Sequence, residues 1–396
     1  MKSSYVQPSA MMIVMFVLSL LLGAPPGWAQ HGGTPTLSNA ITLPGGEHVT
    51  AFDISFVDPG LRLYLLADRT NKRIQVIDTD TNTVLTPLGA GLFTGTAPCS
   101  PPAGANDCAG PDGVLTVNGK EVWAGDGNST VKVFDIASAT LTHTIPTGGT
   151  KRADELCFDP VDQLILIAND ADTPPFVSFI PTAGPKAYTV VNTITMDGSN
   201  GTPKATNGIE QCQWSPSTGM FYLNIPEVSG PGDDSAPGAV LVISPTTMAI
   251  ENTFNLPHSK CAGPQGMAVG PSNQILIGCN ASTSSVLINQ NSGAVISTLQ
   301  NEGGPDEVWF NEGDGHYYLA QSAFSTPKLG VVDSTGHKTL PGTPTGSARA
   351  HSVAADSITN QIYVPIPSNS TAGVCTSGGG SDSLGCVAVY ASAGRK

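Results

Sequence analysis

Seven residues whose side chains can hold a cation or move a proton recur at one position of a repeating pattern: Asp53, Asp112, Asp154, Glu210, Gln265, Asp306 and His351. Where the repeat carries a turn proline, at Pro59, Pro160, Pro216 and Pro271, the polar residue stands six positions ahead of it. Glu155 and Glu307 follow directly after two of them. A second set closes the next apolar run of each repeat: Asp68, Asp126, Asn169 with Asp170, Asn224, Asn280 and Gln321. Carboxylates brought together cannot all stay ionised without a counter-charge, so such a cluster takes up protons or captures a cation. Oxygen donors suit Ca²⁺, Mg²⁺ or Mn²⁺, and an imidazole brings Zn²⁺ into the set. The expected metal ligands are Asp53, Asp112, Asp154, Glu210, Asp306 and His351, with His48 as a further imidazole near the first repeat. The competing reading of the same residues is structural, as strand-end polar groups that hydrogen-bond between neighbouring repeats.

The elements that would position these residues are hairpins. Pro264 to Asn280 reads PQGMAVGPSNQILIGCN, two short apolar runs reversed by a Gly-Pro-Ser-Asn turn. The pattern returns as FDISFVDPGLRLYLLAD from Phe52, PDGVLTVNGKEVWAGD from Pro111 and ADELCFDPVDQLILIAND from Ala153. It continues as IEQCQWSPSTGMFYLN from Ile209, PDEVWFNEGDGHYYLAQ from Pro305 and AHSVAADSITNQIYVP from Ala350. A third apolar strand follows most hairpins, as at Ile74 to Asp78 and Val131 to Asp135, and a fourth follows that, as at Leu141 to Ile145. Four strands per repeat at a spacing of roughly 40 to 60 residues is the signature of propeller blades. The fold expected is all-β, a seven-bladed β-propeller.

The last repeat supplies three strands, Ser352 to Ala354, Gln361 to Val364 and Cys386 to Tyr390, and Asn39 to Leu43 is available near the other end of the chain. The N-terminal strand is therefore expected to complete the last blade and close the ring, which removes open sheet edges.

Composition agrees with one large β domain over 30–396: glycine (45) and proline (32) are abundant, and helical periodicity is hard to find. The formal net charge of −14 makes nucleic acid and anionic lipid poor partners. Residues 1–29 read as a secretory signal peptide, with Lys2 ahead of the apolar run Ala10 to Gly23 and small residues Gly27 and Ala29 before Gln30. That run is shorter than the ~20 residues a membrane span needs. The expectation is a secreted or periplasmic monomer, free of the membrane once the leader is cleaved. All 8 cysteines follow the leader, an even number that favours disulfides in an exported chain. Cys99 and Cys108 bracket one loop, Cys375 and Cys386 another, Cys261 and Cys279 share one end of the fifth repeat, and Cys157 and Cys212 fall in first strands of adjacent repeats. Spacing alone leaves their connectivity open.

Long insertions cluster on one face of the expected disc: Gly89 to Gly110, Asp197 to Asn207, Glu227 to Gly238 and Ser368 to Gly385. Loops on a rigid scaffold usually carry binding, so function is assigned to that face, with a small molecule or a protein as ligand. The chain lacks a GxSxG elbow, an HExxH helix, a GxGxxG turn, a P-loop and a CxxCH haem motif. Trp123, Trp214 and Trp309 recur on strands and are read as packing between blades.

The hairpins PQGMAVGPSNQILIGCN, FDISFVDPGLRLYLLAD and AHSVAADSITNQIYVP resemble the repeats of bacterial YVTN-type β-propellers, a group similar to lactonase-type and gluconolactonase-type seven-bladed propellers. The resemblance spans about Leu37 to Ala391 and speaks to fold rather than activity. A gluconolactonase-like member implies a divalent metal in the channel held by a first-blade Glu with Asn and Asp from later blades. This chain has Asp53 at that first-blade position, and Glu210 is the only Glu of the ring. Two readings follow. In one, the acidic face binds a divalent metal or a cationic ligand or partner. In the other, the protein is a metal-dependent lactone or ester hydrolase with Asp154 or Asp306 as base.

Overall fold

The computed structural model describes residues 33–96, 99 and 106–392. The leader expected over 1–29 lies outside the described residues. Seven four-stranded antiparallel sheets form the blades of a β-propeller. Their innermost strands are Ser55–Asp58, Val114–Val117, Leu156–Asp159, Cys212–Ser215, Pro264–Gly270, Val308–Asn311 and Ala354–Asp356, for blades one to seven in chain order. Each innermost strand contacts that of the next blade, and the seventh returns to the first.

Burial explains the sequence pattern. The second strands Leu164–Asn169, Gln274–Cys279 and His316–Gln321 are buried along their whole length, because both sheet faces press on neighbouring blades. The outermost strands Thr140–Pro146 and Ala249–Asn255 are largely exposed and polar. Seven apolar clusters fill the seven gaps between blades. One packs Ala268, Leu276 and Leu287 of blade five on Val308, Tyr317 and Leu319 of blade six. Another joins Tyr64 and Leu66 of blade one to Tyr363 and Val389 of blade seven. Trp123 is fully buried between blades two and three, as its position on a strand implied.

Closure follows the expected route with a small shift. The closing strand is Thr36–Ile41, and it pairs antiparallel with Cys386–Ala391, Ala40 opposite Ala388. Leu43 lies beyond the strand and is buried in the cluster between blades seven and one. The innermost strand of blade seven begins at Ala354 rather than Ser352, because Ser352 faces blade one. Its hydroxyl accepts the Ser55 N–H at 2.8 Å and hydrogen-bonds the Ser55 hydroxyl at 2.7 Å. It also donates to Glu307.

Four disulfides staple the described chain: Cys99–Cys108, Cys157–Cys212, Cys261–Cys279 and Cys375–Cys386. Cys157–Cys212 joins the innermost strands of blades three and four, and the other three tie segments of the insertion-bearing face. Disulfides of this number fit an oxidising compartment. No described helix is long and apolar enough to cross a membrane.

Candidate functional site

A repeated backbone rung sets the level of the ring residues. The N–H groups of Asp53, Asp112, Asp154, Glu210 and Asp306 donate to the carbonyls of Ala67, Gly125, Ala168, Asn224 and Ala320, at 2.8–3.3 Å. Each acceptor is near the end of the second strand of the same blade, so one register places all five at the channel mouth. Between blades two and three the approach is close enough to demand glycine. A Cβ on Gly125 would strike the Ala153 carbonyl, and one on Gly113 would strike the Asp154 carbonyl, to which the Gly113 N–H donates.

Asp53, Asp154, Glu210, Gln265, Asp306 and His351 line one cleft of about 450 Å³, together with Arg69, Arg152, Glu155 and Arg349. Asp112 is fully buried. The cleft divides into two halves of different chemistry.

In the first half, carboxylates surround guanidiniums. Arg69 is 4% exposed and bridges two blades, donating to Asp53 Oδ2 at 2.6 Å and through Nε to Asp112 Oδ1 at 3.0 Å. Arg152 pairs with Asp154 at 3.0 Å and with Asp170 at 2.5 Å. His351 stacks on Phe52 at 4.9 Å between centroids and places Nε2 3.5 Å from Asp53 Oδ1. Burial pushes the Asp53 carboxyl up, but Arg69, His351 and Arg152 together outweigh it and hold Asp53 below the ordinary carboxylate range. Burial dominates at Asp112, pushed up to about 8 although Arg69 opposes it. It also dominates at Asp154, raised well above the usual value against the pull of Arg152. Burial alone would lower the His351 imidazole, yet Asp53 and Asp306 raise it. Asp53, Asp112 and Asp154 each offer an oxygen within 4.8 Å of the others, close enough to share an ion. Asp112 Oδ2 and Asp154 Oδ1 are buried without a hydrogen-bond partner, while the other oxygens are taken by Arg69 and Arg152. A metal there would have to sit beside two fixed cations.

The second half is less neutralised: His351 draws the Asp306 carboxyl down and Arg152 the Glu210 carboxyl, but neither forms a short ion pair with it. Among the described residues, Glu155, Glu210 and Asp306 make no side-chain hydrogen bond and no short ion pair. Glu155 is 8% exposed, whereas Glu210 and Asp306 are half-buried. Burial raises all three carboxyls above their usual values; Glu210 raises Glu155 further and Asp306 raises Glu210, while at Asp306 the His351 imidazole opposes the rise. The buried Oε1 of Gln265, on the same cleft wall, also lacks a donor. Glu307 belongs elsewhere, since its carboxylate accepts the Val353 N–H at 2.9 Å and the Ser352 hydroxyl, tying blade six to blade seven.

The second set of strand-end polar residues is largely consumed inside the fold. Asp68 accepts from Asn71 and Gln75, Asp126 pairs with Lys132, and Asn169 accepts from Thr147. Asn224 and Gln321 donate to the backbone carbonyls of Gly266 and Gly303. His48 is not among the residues lining the cleft.

Sequence reasoning assembled the acidic ring but missed Arg69, Arg152 and Arg349. The signal was present, since Arg69 follows Asp68, Arg152 precedes Asp154 by two and Arg349 precedes His351 by two.

No family model matches this chain, and no curated protein matches it in sequence. Solved structures do share its fold. A chain of the mitotic checkpoint complex superposes with a TM-score of 0.62 at 12% identity, covering 96% of this chain and 99% of that one. Hydrazine synthase of Kuenenia stuttgartiensis gives 0.61 at 13% identity, covering 81% of this chain and 95% of that one. At such identities the likeness defines the class, a seven-bladed β-propeller, and the function has to come from the site.

Proposed function

We propose that this propeller is an exported binding protein whose channel mouth captures a cation, either a divalent metal or a cationic group of a ligand, through Glu155, Glu210 and Asp306 with Gln265. One observation carries this reading. Three carboxylates line a 450 Å³ cleft without a side-chain hydrogen bond or short ion pair among the described residues, while Asp53, Asp112, Asp154 and Asp170 are already paired with Arg69 and Arg152. Grouped, unneutralised carboxylates are costly, and a bound cation removes the cost. Oxygen donors suit Ca²⁺, Mg²⁺ or Mn²⁺ and an imidazole Zn²⁺. Among the described residues, however, the acidic group whose oxygens come within 4.8 Å of one another is Asp53, Asp112 and Asp154, so the wider set of Glu155, Glu210 and Asp306 favours a cationic group of a ligand over a single ion. The disulfides support an exported setting.

A metal-dependent lactone or ester hydrolase is the second reading, favoured by the position of Asp306 in the open half of the cleft. A bound ion would supply Lewis acidity there. Asp306 is the better base candidate than Asp154, whose Oδ2 is held by Arg152 and whose Oδ1 is buried.

Calorimetric titration of the purified protein with Ca²⁺, Mn²⁺, Zn²⁺ and n-butylammonium chloride tests the proposal. Binding of at least one, lost in the Glu210→Gln/Asp306→Asn variant, is expected. Absence of binding by all four would overturn it. Turnover of simple lactones or aryl esters by the metal-loaded protein decides for the second reading.

A further inference from the structure

Resting on the cation-site reading, we infer that the occupant of the cleft is a small zwitterion with a primary ammonium at one end and a carboxylate or similar anion at the other. Charge pairing around the cleft points there. Of the arginines in the described residues, Arg62, Arg69, Arg73 and Arg152 each meet a carboxylate. Arg349 does not. It is exposed in the cleft lining, and its guanidinium donates one long hydrogen bond, 3.4 Å, to the Thr50 carbonyl. One cleft thus carries unpartnered charge of both signs, and no ion pair joins Arg349 to Glu155, Glu210 or Asp306. A ligand that spans the gap satisfies both ends at once.

Two further observations narrow its chemistry. The cleft of about 450 Å³ is far larger than a metal ion and suits a small organic molecule. The groups around the acidic half are acceptors, including the buried Glu155 carboxylate and the orphaned Gln265 Oε1. Acceptors need N–H donors, which a primary ammonium has and a quaternary ammonium lacks. Quaternary heads are held by aromatic faces, and the one aromatic ring of the lining other than His351 is Phe52, which is covered by that histidine.

The test is a calorimetric comparison of ω-amino acids, from glycine to 6-aminohexanoate, with alkylamines of matching length that lack the carboxylate. At the best-fitting length the amino acid should bind about three- to fivefold tighter, the modest gain of a solvent-exposed charge pair. Arg349→Gln should bring that ratio to about one. Alkylamines binding as well as amino acids at every length, or a ratio unchanged in Arg349→Gln, overturns the zwitterion while leaving the cation site intact. Binding of divalent metal alone also overturns it. Failure of amines, amino acids and metals together removes the cation-site reading and this inference with it.

Discussion

The two halves of the channel mouth hold similar numbers of carboxylates and treat them in opposite ways. Around Arg69 and Arg152, carboxylates from blades one, two and three share guanidiniums that the fold itself supplies. Glu155, Glu210 and Asp306 line the same cleft without a short ion pair or side-chain hydrogen bond, with only His351 and Arg152 drawing on Asp306 and Glu210 at longer range. Carboxylate density alone therefore does not mark a binding site. What marks it is density that the protein leaves uncompensated, because only there does a ligand gain what the fold has withheld.

Removing the guanidinium should give the largest effect. Arg69→Met strands the ionised Asp53 and takes a donor from Asp112, and should cost about 3–5 kcal/mol at neutral pH, read from the urea midpoint. The loss should shrink in acid as the stranded carboxyl takes up a proton. A loss under 1 kcal/mol would mean that the paired half is not a structural clamp.

In the open half the same kind of experiment should change sign. Glu155→Gln replaces a buried acid that lacks a hydrogen-bond partner with a neutral side chain of the same shape and should be neutral or stabilising by roughly 1 kcal/mol. Destabilisation on that scale would mean that Glu155 has a partner in solution.

The pH profile separates the halves further. The raised carboxyls of Glu155 and Glu210 hold their protons to higher pH in the native state than in the unfolded chain, where the ordinary value is 4.5. The native state thus binds more protons above about that pH, and stability contributed by these groups falls as pH rises through their folded-state values. In cation-free buffer the melting temperature should decline across that window, and Glu155→Gln/Glu210→Gln should flatten the decline. Arg349→Gln should give the smallest effect, within about 0.5 kcal/mol, because an exposed rim arginine supports no packing.

The fold was readable from the chain because each blade announces itself locally. The hairpin PQGMAVGPSNQILIGCN and its six counterparts carry their own turns and apolar alternation, and the closing strand was identifiable as the one strand missing from the last repeat. The ring residues were readable for the same reason, since the backbone rung that places Asp53 also places Asp306. The division of the site was not. Arg69 reaches Asp112 across 43 residues of sequence and from one blade to the next, a contact that no local pattern encodes. The roles of Glu155 and Glu307 diverged likewise, one left facing the cleft and the other bonded to Ser352 and Val353 of the neighbouring blade, although the same register position holds both.

On the proposed reading, the unpaired half binds and the paired half holds the ring together. Parallel calorimetric titration of wild type, Glu210→Gln/Asp306→Asn and Asp53→Asn with the cation that binds wild type most tightly tests it directly. Binding should be lost in the first variant and retained in Asp53→Asn; the reverse, retention in the first with loss in Asp53→Asn, would overturn that division and place the cation among Asp53, Asp112 and Asp154.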